Sequence, residues 1–194
     1  MPSALCFRPL SLADRQRLES LCIACTDFFA CIEGQPGGRE TAAELLGPLA
    51  PHVSAGVKSV VGVEIGGELV GVVELLAGFP GPKEWYVGLL LLHPDRRGAG
   101  AGTAIWEHLR QRMTQEGATT VRLIVQQQNP RARRFWERQE FVVERELVAK
   151  AGKLESPVWL LHRSLQAEVP QAMGRPASAP SGHSMPTVPR RSDP

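Results

Sequence analysis

At 194 residues, 43% of them hydrophobic, the chain has apolar material for one good core and too little for a second. Its 22 basic and 20 acidic residues leave a formal charge of +2, which supplies no long-range field for nucleic acid or an anionic membrane. The sequence shows neither a charged leader ahead of an apolar segment nor a run of 18 apolar residues, so a cytoplasmic protein with no membrane partner is expected.

Residues 1–165 are expected to form one domain, and 166–194, rich in proline and serine and without periodicity, to be a disordered extension. A short strand is expected over Leu5–Arg8, then a helix capped by Ser11 with Leu12, Leu18, Leu21 and Ile23 as its apolar positions. Cys6, Cys22, Cys25 and Cys31 fall in the first 31 residues. The Cys22–Cys25 spacing is one that metal and redox sites use. No second pair or nearby histidine completes a tetrahedral set, so small buried thiols and no metal are expected.

Asp27–Glu40 reads as an irregular bridge carrying Phe28, Phe29 and Glu33, followed by a short helix over Arg39–Leu46. Two β-branched runs, Val57–Ile65 and Leu69–Leu76, flank Gly66-Gly67 and describe an antiparallel hairpin. A third strand, Trp85–Leu92, ends at His93-Pro94, where proline removes a ladder donor.

Arg97-Gly98-Ala99-Gly100-Ala101-Gly102 comes next, ahead of an amphipathic pattern on Ile105, Leu109 and Met113 that Gly117 ends. Strand, glycine turn and helix in immediate succession make an anion site. Glycine lets the backbone approach a ligand, and the first amides of a helix have no intrahelical acceptor. A further strand follows at Val121–Val125, then a helix opened by Asn129-Pro130, and strands near Phe141–Val148 and Val158–His162. Arg131, Arg133, Arg134 and Arg138 spread over more than one face of that helix, as solvated arginines or as help for a polyanionic ligand. The order is mixed α/β, antiparallel strands preceding one strand-helix-strand-helix unit.

The segment Leu89-Leu90-Leu91-Leu92-His93-Pro94-Asp95-Arg96-Arg97-Gly98-Ala99-Gly100-Ala101-Gly102 resembles the central motif of the GCN5-related N-acetyltransferase (GNAT) superfamily, with Arg97, Gly100 and Gly102 at its defining positions. A second similarity lies in Asn129-Pro130-Arg131-Ala132-Arg133-Arg134-Phe135-Trp136-Glu137-Arg138-Gln139-Glu140-Phe141. The resemblance implies a mixed, mostly antiparallel sheet flanked by helices, whose splayed central strands admit acetyl-CoA as cosubstrate. Pantetheine would then pair with main chain near Leu90 and Leu92. The pyrophosphate would lie on Arg97, Gly98, Ala99, Gly100, Ala101, Gly102 and Thr103, with Asn129 and Trp136 also at the cofactor.

Trp136 stands where relatives often carry a tyrosine that protonates the departing thiolate, and indole cannot do so. A thiol of pKa roughly 8.5 leaves without a dedicated acid. Glu140 replaces a common glycine and disfavours a left-handed turn there. Gly88 occupies the position of the carboxylate base that many relatives use. Same-face neighbours at period two are Tyr86 and Glu84, and Glu74 lies on the preceding strand. Glu84 is the preferred proton acceptor, with Glu74, Tyr86, a water chain or a neutral amine as alternatives. Asp27, Glu33, Glu64 and Glu74 either attract a cationic acceptor or are ordinary surface carboxylates.

The expected activity is acetyl transfer to a primary amine, on a small molecule or a protein, by direct attack in a ternary complex. A non-catalytic acyl-CoA-binding regulator or scaffold is the alternative. Monomer and homodimer are both open.

Overall fold

The computed structural model describes residues 4–49 and 56–165. The stretch 166–194 lies outside the described residues, and so does the expectation that it is disordered.

Seven strands, β1 (Cys6–Pro9), β2 (Val57–Ile65), β3 (Glu68–Ala77), β4 (Glu84–Leu92), β5 (Thr120–Gln126), β6 (Val142–Ala151) and β7 (Leu154–Ser164), form one sheet in the order β1-β2-β3-β4-β5-β7-β6. Between β2 and β3, Gly66 and Gly67 both take positive φ, 60° and 84°, the backbone that a two-residue hairpin turn requires. β4 and β5 run parallel, and α4 (Ala101–Gln115) provides the crossover that a parallel pair needs. The fold is thus the mixed, mostly antiparallel sheet expected.

Each face of the sheet buries its own core. On one, α4 and α5 (Pro130–Arg138) bring Ile105, Trp106, Leu109, Met113 and Trp136 onto Val73, Leu75, Val87, Leu123 and Leu161. On the other, α1 (Arg15–Ala24), α2 (Thr26–Glu33) and α3 (Arg39–Leu46) bring Leu18, Leu21, Cys22, Phe29, Ala42 and Leu45 onto Val72, Leu89 and Leu91.

Four expectations fail at the N-terminal end and one near the C-terminal end. Cys6 is exposed and Cys31 half-buried, so only Cys22 and Cys25 are the buried thiols expected. Leu12 and Ile23 are exposed, because Leu12 lies in a 3-10 turn ahead of α1 and Ile23 on its outer face. The Ser11 hydroxyl does not cap the helix. The Asp14 carboxylate instead takes the Ser11 N–H at 3.0 Å and the Arg8 guanidinium, which holds that carboxyl far below its usual range. The bridge is not irregular: Thr26–Glu33 is the helix α2, closed by Gly34 at φ 70°. Burial of Phe29 and Ile32 on the sheet stabilises a segment too short to hold helix alone. Glu140 does adopt the left-handed turn, at φ 63°, where Arg163 donates to its carboxylate at 2.5 Å and to the Gln139 carbonyl at 2.8 Å. The turn survives loss of glycine because these bonds offset a cost of about 1 kcal/mol.

Two features open the sheet. The β4–β5 register runs Glu84 to Thr120, Trp85 to Val121 and Tyr86 to Arg122, and goes no further. Directly beyond Tyr86 the β3–β4 register jumps, Leu75 facing Val87 and Glu74 facing Leu89, so Gly88 is an unpaired bulge. The extra residue reverses the side-chain alternation. Val87 therefore packs against α4 and α5, whereas Leu89 faces the α1–α3 layer.

Candidate functional site

The gap between β4 and β5 widens into a cleft of about 680 Å³, with Leu90, Asn129, Ala132 and Trp136 toward one end, Lys58, Glu74 and Tyr86 toward the other, and Phe28, Phe29, Ile32 and Lys150 also in its wall. That volume suits a ligand of moderate size.

At the first end the chain offers backbone. His93 donates its N–H to the Val70 carbonyl at 2.8 Å, so strand alternation turns the main-chain groups of Leu92 and Leu90 away from β3 and into the gap. The Leu92 carbonyl is already engaged, by Arg97 Nε at 2.9 Å and Cys25 Sγ at 3.3 Å. What remains on that edge is the Leu92 N–H and both groups of Leu90. Past the strand, Gly98 and Gly100 take φ 84° and 83° with open space where a Cβ would stand. The first bond within α4 runs from the Ala104 N–H to the Gly100 carbonyl at 3.0 Å, which leaves the amides of Ala101, Gly102 and Thr103 for a ligand. At Gly102 a Cβ would meet the Phe135 ring at 3.1 Å, so glycine lets α5 close onto α4. These residues fit a pyrophosphate. Ala99 belongs to the same exposed turn.

Arg97 behaves otherwise than a phosphate ligand. Besides Leu92, its guanidinium forks onto Asp27 at 2.5 and 3.2 Å and ties the glycine turn to α2, and it holds the Asp27 carboxyl below its ordinary value. Asn129 Oδ1 accepts the Ala132 N–H at 3.1 Å and so caps α5. Trp136 stands in an aromatic cage, edge-on to Trp106, Phe135 and Phe141 with centroids 5.6, 4.8 and 5.1 Å away. Burial pushes the Cys22 thiol up to about 12 and raises that of Cys25, so neither supplies a thiolate at neutral pH.

At the far end the candidate bases separate. Glu84 lines none of the cleft; it pairs with Arg122, which also holds Glu144 at 2.8 Å. Its parity with Gly88 is right, but four residues of strand carry it about 13 Å away, to the end where β4 and β5 still pair. Tyr86 does line the cleft, though burial raises its hydroxyl well above its usual value, with the Glu74 carboxylate adding to the shift. The shift keeps it protonated at neutral pH, which weighs against its serving as the base. Glu74 fills the place that Gly88 leaves: its Oε2 lies 2.6 Å from where a Gly88 Cβ would be. The carboxylate absent from β4 is thus supplied from β3 across the bulge. Of the other acidic residues, Glu33 also lines the cleft, whereas Glu64 bonds Arg8 and Arg17 at 2.9 and 2.8 Å.

Sequence reasoning missed Lys58. Its ammonium forms an ion pair with Glu74 Oε1 at 2.9 Å and donates to the Glu44 carbonyl at 3.2 Å. As one charge in a β-branched strand it carries no motif, and only the β2–β3–β4 pairing brings it to the cleft.

Comparison with known proteins bears on residues 26–141, which match the model of the Acetyltransferase (GNAT) family. No curated protein matches the chain. Among solved structures, an acetyltransferase from Thermus thermophilus is 21% identical with a TM-score of 0.68, covering 84% of this chain and 98% of that one. The PaiA N-acetyltransferase of Thermoplasma acidophilum, in complex with coenzyme A, is 17% identical with a TM-score of 0.60, covering 83% and 99%. The ribosomal-protein-S18-alanine N-acetyltransferase of Escherichia coli is 14% identical with a TM-score of 0.62, covering 88% and 100%. What these structures share with the chain is the fold.

Proposed function

Since the chain belongs to the Acetyltransferase (GNAT) family, whose members transfer acyl groups from coenzyme A, we propose that it transfers acetyl from acetyl-CoA to a primary amine by direct attack. The observation that carries this reading is Glu74 Oε2 in the space beside Gly88, a carboxylate oxygen aimed into the cleft where β4 and β5 part. Main-chain groups of Leu90 would receive the pantetheine, and the turn from Gly98 to Thr103 the pyrophosphate.

An amine arrives largely as ammonium. Glu74 takes one proton from it; nitrogen then bonds the acetyl carbon, the carbon–sulfur bond breaks, coenzyme A departs as the thiolate, and the second proton shed by nitrogen passes to that thiolate or to solvent. The cleft walls would hold the two reactants together, and the Leu92 N–H would stabilise charge developing on the acetyl oxygen. Trp136 shapes the wall and moves no proton.

The test is thiol release from acetyl-CoA with and without primary amines, alongside calorimetric titration with acetyl-CoA. Release that requires both protein and amine is expected. Normal titration without release from any amine would make the chain an acyl-CoA-binding regulator instead.

A further inference from the structure

Resting on the transferase reading, we infer that the acceptor is a free α-amino acid with an apolar side chain. Its ammonium would meet Glu74 and its carboxylate Lys58. An ammonium has three donors. Lys58 pairs with Glu74 Oε1 at 2.9 Å and donates to the Glu44 carbonyl at 3.2 Å, and its ammonium has no further partner among the described residues. Glu74 mirrors this: Oε1 is taken by Lys58, while Oε2 lies in the Gly88 gap with no donor among the described residues. Both side chains are largely buried, at 12% and 15% exposure, and both line the cleft, so the unfilled hydrogen-bonding capacity faces the space that a ligand would enter.

The two open positions are neighbours and of opposite sign. An α-amino acid presents the complement, an ammonium and a carboxylate on one carbon. Binding it leaves the charge of the Lys58–Glu74 pair unchanged, whereas a simple amine brings a cation beside Lys58 with no partner for the spare N–H. Phe28, Phe29 and Ile32 of α2 line the same cleft and offer an apolar wall to the side chain. A peptide N-terminus lacks the adjacent carboxylate and does not satisfy Lys58.

The experiment compares L-phenylalanine, L-phenylalanine amide, phenethylamine and L-glutamate at saturating acetyl-CoA, reading thiol release. For wild type, kcat/KM for L-phenylalanine should exceed that of each of the others by roughly tenfold or more, the scale of one hydrogen bond to a charged group. In Lys58→Met the ratio of acid to amide should fall to about one. If that variant does not fold, the wild-type ratio alone decides. An amide, simple amine or glutamate that matches or beats phenylalanine overturns this inference and leaves the transferase reading intact, as does an unchanged ratio in folded Lys58→Met. No release from any of the four, nor from other primary amines, while acetyl-CoA titrates normally overturns both.

Discussion

At one end of the cleft the chain offers consecutive main-chain groups, Gly98 to Thr103 and the nearby edge of β4, whereas at the other it offers charged side chains from β2 and β3. The difference follows from the ligands each end is read to take. A pyrophosphate is satisfied by amides and a helix terminus, which any short glycine-rich sequence can present. An acceptor must be told from its competitors, and that takes side chains of particular charge at particular depth. Gly88 marks the seam, where a bulge opens the sheet and a carboxylate from the neighbouring strand fills the gap.

The largest expected effect concerns Trp136 in the cleft wall. Trp136→Ala should destabilise the protein by roughly 3–5 kcal/mol through the cavity left among Trp106, Phe135 and Phe141. Trp136→Phe should lose less than half of that and retain most turnover. Thermal melts and single-turnover rates check this. Equal collapse of the rates in two folded variants would mean that the indole itself takes part in chemistry.

Next comes Glu74→Gln, which should lower turnover about 10²-fold. Acetyl-CoA affinity should stay unchanged. If affinity falls with turnover, the two ends are not separable. Smaller again is Gly100→Asp, which sets a negative charge on the pyrophosphate turn at a backbone of φ 83°. It should weaken acetyl-CoA roughly tenfold or more by calorimetry while circular dichroism stays native-like, since a Cβ there meets open space. Wild-type affinity would remove the turn from the cofactor site.

The smallest effect is expected from Glu84→Gln. It leaves Arg122 bonded to Glu144 and should cost about 1 kcal/mol or less in stability and under twofold in turnover. A loss comparable to that of Glu74→Gln would move the base back to β4 and dissolve the division.

The sequence by itself determined the strands, the hairpin at Gly66-Gly67, the crossover helix α4 and the Asn129 cap of α5, because each is set by residues adjacent in the chain. The glycine turn was legible for the same reason. Period-two parity placed Glu84, Tyr86 and Gly88 on one face, but parity carries no information about depth, and the pairing that ends at Tyr86 and Arg122 leaves Glu84 outside the opening. The Glu74–Lys58 pair, the helix over Thr26–Glu33 and the left-handed Glu140 were decided only by tertiary structure. Each depends on a partner far along the chain: Gly88 for Glu74, the sheet for Phe29, Arg163 for Glu140. No local propensity encodes contacts of that separation, because their free energy exists only once the chain has brought the partners together.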